Sequence, residues 1–304
     1  MSTKKGTILK TSGLNNYNQV GAKSNNKSGK YPIICPPLSS KIVVSNLISY
    51  SVYYHHASWV TKDGKGYAIG DNSCGAILGS LPKSILKKAT EIDMKDSRGI
   101  QCKFISILCG DDYTLYLISR TDGIRELAYV FKSTNDGEPL FVNIENRQPV
   151  SLYGGYYNSA AIDTEGAIIP ITDSLFDFPL NPVKAATLPG GEKAVSVACC
   201  NNFYFALSES GRVFKSSYRE LSFEEVEELR DKEIVDISGT NYHCFAVCSE
   251  GEVFVYGSNP CGALCLGERV SKADKFTKVA SLEKRWKSFV MWKRQLWPTH
   301  ARQI

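Results

Sequence analysis

Residues 233–267 read EIVDISGTNYHCFAVCSEGEVFVYGSNPCGALCLG, and this stretch decides the fold. Ile234, Val235 and Ile237 begin an apolar strand that ends at Gly239, and a second strand runs around Phe245, Ala246 and Val247. A tight turn follows at Ser249 to Gly251, then a third strand, Val253 to Tyr256, and a glycine-rich loop from Gly257. Short strands separated by glycine turns are the grammar of antiparallel hairpins.

With Gly251 as an anchor, the unit recurs at Gly6 (KKGTILKTSGLNN), Gly64 (TKDGKGYAIGDNSCGAILG), Gly123 (RTDGIRELAYV), Gly166 (DTEGAIIPI) and Gly211 (SESGRVFKS). The intervals are 58, 59, 43, 45 and 40 residues. A turn that needs positive φ keeps its glycine while its flanks drift. Five residues before the anchor stands Ala161, Ala206 or Ala246, small enough for strands that converge on an axis. Trp59 and Leu117 take the comparable place in the two longer units. The linking segments repeat as well: SFEEVEEL (222–229) spaces Phe223, Val226 and Leu229 in threes, and KFTKVASL (275–282) does the same with Phe276, Val279 and Leu282. The acidic run Glu224 to Glu228 reads as the solvated face of a connector.

The loops GLNNYNQVG (13–21), GDNSCGAILG (70–79) and GSNPCGALCLG (257–267) resemble the G-x-N-x-x-G-Q-L-G signature of regulator-of-chromosome-condensation repeats. They place Gly13, Asn15 and Gly21, then Gly70, Asn72, Gly75 and Gly79, then Gly257, Asn259, Gly262 and Gly267, at signature positions. Glycines permit the bend, and the Asn side chain is suited to capping loop amides. The resemblance implies an all-β fold, a β-propeller of about six to seven four-stranded blades, over residues 1–290, with an atypical basic and aromatic tail at 291–304. No Trp-Asp pair closes a unit, which separates the chain from the other common propeller repeat. Five full units and a start at Gly6 leave ring closure to the segment RWKSFVMW (285–292). That segment begins like EIVDISG and then loses the turn, so the sequence leaves open an atypical closing strand or the end of something longer.

Charge is uneven in the 304-residue chain: residues 1–30 carry net +6 and 281–304 net +5, so the body between them is acidic although the total is +5. An acidic body with basic ends is unlike a nucleic-acid groove. The N-terminus lacks an apolar signal segment, and no run approaches membrane-spanning length, which sets the expectation of an intracellular protein, cytoplasmic or nuclear. The ten cysteines then read as thiols and not as a disulfide framework.

Several residues invite chemistry. Cys244, Cys248, Cys261 and Cys265 stand beside His243 in zinc-like pairs. Yet Cys244 and Cys248 share one strand, where four residues span about 13 Å, too far for a common ion with bonds of about 2.3 Å. Cys199 and Cys200 take the place of Gly239 in their unit. His56 and His243 both lie eight residues before a turn glycine, where other units carry Asn158, Phe203 and, nine before Gly123, Thr114. A group repeated in successive blades does not converge on one active site, so both histidines read as structural. GKGYAIG (64–70) lies in a hairpin and opens no helix, so it cradles no phosphate. Asn26-Lys27-Ser28 fits a glycosylation acceptor only by chance in an intracellular chain.

No catalytic, cofactor-binding or metal residue is therefore assigned. The expectation is a non-catalytic scaffold that binds other proteins through propeller loops. The resemblance also implies an alternative, guanine-nucleotide exchange on a Ran-like small GTPase, for which the linker with Asp93, Lys95, Asp96 and Arg98 is the best wedge candidate. Lys4 and Lys5 are too few for a chromatin tail. Only Trp59 lies within the repeats, too few tryptophans for the light sensing of a plant relative. Lys284 to Trp297 holds three tryptophans and five basic residues, the pattern of a helix for calmodulin-like partners or acidic surfaces.

Overall fold

The structure, a computed structural model, describes residues 10–14, 28–34, 46–53, 55–72, 75–78, 81, 83–131, 138–156, 158–172, 183–200, 202–217, 219–259, 262–267 and 270–280. Gly6, Asn15, Gly21, Gly79, Cys261 and the tail Lys284 to Trp297 fall outside this set. The chain forms two compact units, one ending at Val142 and the other starting at Asn143.

In the first unit, β1 (Lys10–Leu14) pairs with β2 (Ser28–Ile34). The first blade is the antiparallel sheet β3 (Leu47–Val52), β4 (His56–Thr61), β5 (Gly66–Asp71) and β6 (Ile85–Ile92). The second blade holds β7 (Lys103–Cys109), β8 (Tyr113–Ser119), β9 (Arg125–Phe131) and β10 (Leu140–Phe141). In the second unit the third blade holds β11 (Pro149–Gly154), β12 (Asn158–Asp163) and β13 (Ile168–Thr172), with Ala186 bridging to Ile168 at the outer edge. The fourth blade holds β14 (Ala194–Cys199), β15 (Phe203–Ser208), β16 (Val213–Ser217) and β17 (Glu224–Glu225). The fifth holds β18 (Ile234–Gly239), β19 (His243–Cys248), β20 (Val253–Ser258) and β21 (Lys272–Lys278).

The turn glycines do what the sequence requires of them. Gly64, Gly123, Gly166, Gly211 and Gly251 sit at φ between 77° and 85°. Each donates its N–H to the carbonyl three residues back, as Gly251 does to Cys248 at 2.9 Å, while Cys248 donates to the Glu252 carbonyl at 3.0 Å. This is the three-residue hairpin closed by a glycine bulge. The turn also joins blades. The Gly64 carbonyl accepts from Phe104 N–H (2.9 Å), Gly166 from Ala194 (3.0 Å) and Gly211 from Ile234 (2.9 Å), each donor lying in the first strand of the following blade.

A second device repeats in every blade. The register of every first strand slips by one residue at the same place, skipping Ile48, Ile105, Val150, Val195 and Val235. The residue after each bulge is Ser49, Ser106, Ser151, Ser196 or Asp236. A bulge turns one side chain away from the pleat, and Val195 and Val235 emerge about half exposed. Ser49 and Ser106 instead hydrogen-bond each other at 3.0 Å while buried.

Ala161, Ala206 and Ala246 are fully buried on the second strand of their blades. Ala206 and Ala246 pack in clusters that join neighbouring sheets. Their counterpart in the second blade is Tyr116 in place of Leu117, because the β8–β9 ladder runs two residue pairs further toward the turn than the β19–β20 ladder. Phe223, Val226, Leu229, Phe276 and Val279 are all buried. Val226 and Val279 donate to the carbonyls of Val213 and Val253, both at 2.8 Å, so the apolar thirds of the connectors dock as outer strands.

Candidate interaction loops

Each blade presents two loops at one end: the link from its first to its second strand, and the link that follows its third strand. The signature loops belong to the second kind. Gly70 and Gly257 open them at φ 111° and 115°, pressed onto the preceding loop so closely that a Cβ would stand 2.5 Å from the His55 carbonyl oxygen or 2.0 Å from that of Tyr242. Asp71 N–H donates to His55 and Ser258 N–H to Tyr242, at 2.8 and 2.9 Å, which ties the two loops of a blade together.

Asn72 and Asn259 then close the loops from inside. Asn72 is fully buried; its Oδ1 accepts from Ile77 N–H at 2.9 Å, and its Nδ2 donates to the Leu78 carbonyl at 3.1 Å. Asn259 repeats the arrangement, accepting from Leu264 N–H at 2.8 Å and donating to the Val270 carbonyl at 2.6 Å. One amide side chain supplies both an acceptor and a donor, which no other small side chain does in one plane. Gly75 and Gly262, at φ 75° and 72°, complete the turns with N–H bonds to the Asn72 and Asn259 carbonyls, and Gly267 lies at φ 88°.

The histidine positions are structural in geometry. His56, Tyr113, Asn158, Phe203 and His243 each offer a carbonyl to the N–H three residues earlier, between 2.6 and 2.9 Å. Tyr113, not Thr114, is therefore the second blade's counterpart, the two-residue extension having shifted the count from Gly123. Thr114 is instead the partner of His56, with Oγ1 at 2.9 Å from Nε2, and it donates to the Ala76 carbonyl at 2.8 Å. Tyr116 Oη donates to the neighbouring Ile77 carbonyl. In the second unit Asn158 Nδ2 likewise reaches Cys200 O at 3.1 Å. Burial, with His55 repulsion second, pushes the His56 pKa down to about 4, so the ring is neutral. Burial also lowers that of His243.

Of the four cysteines of the zinc-like pairs, Cys261 lies outside the described residues, and the other three differ in setting. Cys244 and Cys248 are both buried on β19, whereas Cys265 is exposed, at φ 56°. Burial, and then contact with Cys200, pushes the Cys244 thiol well up, away from the thiolate a metal would need. Cys199 pairs with Tyr204 as Gly239 pairs with Cys244, and Cys200 matches Thr240. Cys248 does lie near Glu250 and Glu252, but Glu252 is held by Lys232 at 2.6 Å and Lys278 at 2.7 Å, and those bonds draw its pKa down to about 2.

The linker proposed as a wedge is folded back. Lys95 bridges Gln101, and Asp96 caps the intervening turn by accepting from Arg98 N–H (2.9 Å) and Ile100 N–H (3.0 Å). Its tip is tied to the long β8–β9 hairpin: Ser97 Oγ donates to Glu126 at 2.5 Å and Arg98 pairs with Asp122 at 3.0 Å. Ile100 remains 45% exposed on its edge.

What lies open at the loop ends differs between units. In the first, His55 stands beside Asp111 and Asp112. In the second, Tyr242 is 57% exposed. Sequence reasoning passed over the first group because its members are 56 residues apart; the signal was that both loops hold the same position in successive repeats. Among the described residues no helix is long and apolar enough to cross a membrane.

Residues 234–263 match the family model for the regulator of chromosome condensation (RCC1) repeat. The chain is similar to the crystal structure of human WBSCR16, with a TM-score of 0.68 at 17% identity over 89% of this chain and 76% of that one. It is also similar to Prp20p from Saccharomyces cerevisiae, described with its binding to Gsp1p and histones, with a TM-score of 0.52 at 13% identity over 91% and 86% of the two chains. No curated protein matches the sequence. The chain thus carries an RCC1-type repeat on an all-β fold of β-propeller type.

Proposed function

We propose that the chain is a non-catalytic protein-interaction module that offers its loop ends to partners. The observation that supports this most is how the reactive residue types are used. His56 is buried and neutral, Cys244 is a core thiol, and Asn72 and Asn259 spend both ends of their amides on their own loops. What stays exposed at the loop ends, Tyr242 above all, is suited to contact and not to bond-making. Affinity purification with the intact chain, run beside Tyr242→Ala, tests it. A reproducible partner weakened by the substitution supports the proposal, and a list indistinguishable from background counts against it.

Likeness to Prp20p, whose structure is described with binding to Gsp1p, favours a second reading: exchange of guanine nucleotide on a Ran-like GTPase. Against it stands the Asp96 turn, which Ser97 and Arg98 tie to the β8–β9 hairpin instead of leaving it free to push into a nucleotide site. Release of labelled nucleotide from a panel of Ran-like GTPases separates the two, because a scaffold leaves the release rate unchanged.

A further inference from the structure

We propose that His55, Asp111 and Asp112 form a binding site for a first-row divalent transition-metal ion that cross-links the loop ends of the first two blades. His55 lies in the loop between β3 and β4, and the two aspartates lie in the corresponding loop between β7 and β8. One ligand atom from each residue lies within 4.8 Å of the others. Both loops are held from below. Tyr53 N–H donates to His56 O and Gly110 N–H to Tyr113 O, each at 2.9 Å, and the His55 carbonyl is fixed by Asp71 N–H.

Asp111 is the observation that points to a ligand. It is only 9% exposed, yet its carboxylate takes no hydrogen bond from any described residue, and no Lys or Arg among them pairs with it. Its nearest basic group is His55 Nε2 at 3.9 Å, too long for a hydrogen bond. A carboxylate largely but not wholly withdrawn from water, its side chain 12% exposed and faced only by an imidazole 3.9 Å away, is a position that a bound metal ion stabilises.

The donor set names the class of ion. One imidazole and two carboxylates suit Mn²⁺ or Zn²⁺ better than a soft ion, which would want thiolates, and three protein ligands leave positions open to water. Metal bonds of about 2.0–2.2 Å require the three atoms to draw together by about an ångström, within reach of side-chain rotation. The sequence could not display the site, because the repeat and not the chain makes these loops neighbours.

The test is a titration of the full chain, stripped with chelator, with MnCl₂ followed by the loss of the free-ion paramagnetic resonance signal, and with ZnCl₂ followed by calorimetry. One saturable site is expected. Asp111→Asn and His55→Ala should each weaken binding at least about tenfold, while Glu250→Gln, in the Cys248 group, leaves it unchanged. Should Asp111→Asn fail to fold, His55→Ala alone carries the decision. Absence of binding at millimolar ion, or binding that both substitutions leave intact, overturns the proposal.

Discussion

His56 Nε2 lies 2.9 Å from Thr114 Oγ1, a hydrogen bond that joins the second strands of two successive blades in the first unit. The Thr114 hydroxyl proton is already directed to the Ala76 carbonyl at 2.8 Å, so the imidazole must be the donor, with its proton on Nε2. Both residues are fully buried. Thr114→Val removes the acceptor of one buried group and the donor to another, and should cost about 2–4 kcal/mol. Thr114→Ser keeps the hydroxyl and should cost under about 1.5 kcal/mol. Urea unfolding of both variants checks this, and equal losses would show that the hydroxyl is idle.

The same histidine sets a pH dependence. Its folded pKa of about 4 is depressed, first by burial and then by His55, against opposing pulls from Asp71 and Asp112. The unfolded chain therefore binds a proton near pH 6.5 that the folded chain refuses. Stability contributed by the neutral ring is complete above that value and is lost as pH falls from about 6.5 to about 4, by up to about 3 kcal/mol. Denaturant midpoints in chelator-containing buffer should fall more steeply over this window for the native protein than for His56→Gln. Parallel profiles would contradict the assignment.

Two kinds of glycine separate under substitution. Gly123→Ala meets no atom within 4 Å and suffers only from φ 85°, so a loss of about 1–2 kcal/mol is expected. Gly70→Ala and Gly257→Ala add a collision with backbone atoms of the adjoining loop, and each should cost about 3 kcal/mol or more. Thermal melting of the three variants ranks them.

The two loop asparagines give a local readout. In Asn72→Ala the Ile77 amide loses its acceptor, and in Asn259→Ala the Leu264 amide does. Exchange of those amides with deuterium should accelerate at least about tenfold, corresponding to about 1.4 kcal/mol of local opening. Unchanged protection at Ile77 and Leu264 would mean that the loops stand without the side-chain clamp.

Much of the fold was legible because it rests on backbone sign. A glycine at the fourth position of a tight hairpin announces positive φ wherever it recurs, and Gly64, Gly123, Gly166, Gly211 and Gly251 all have it. Asn72 and Asn259 were legible for a related reason, since an Asn between loop glycines has few uses other than capping. Frame was harder. Counting back from Gly123 pointed to Thr114 and Leu117, whereas the longer β8–β9 hairpin makes Tyr113 and Tyr116 the true counterparts. The first-strand bulge was written as Ile-Ser or Val-Ser in four of the five blades, but it drew no notice because alternation survives on either side of it.

The sequence by itself determined the repeating strand-turn-strand unit, the positive-φ turns and the signature loops, because each is specified by residues within a few positions of one another. Tertiary structure alone decided which residues meet across blades: His56 with Thr114, Ser49 with Ser106, and His55 with Asp111. Those pairs are separated by 58, 57 and 56 residues. Whether they touch depends on hairpin length, bulge position and the bond from one blade's turn glycine to the next blade's first strand, and local propensity encodes none of that geometry.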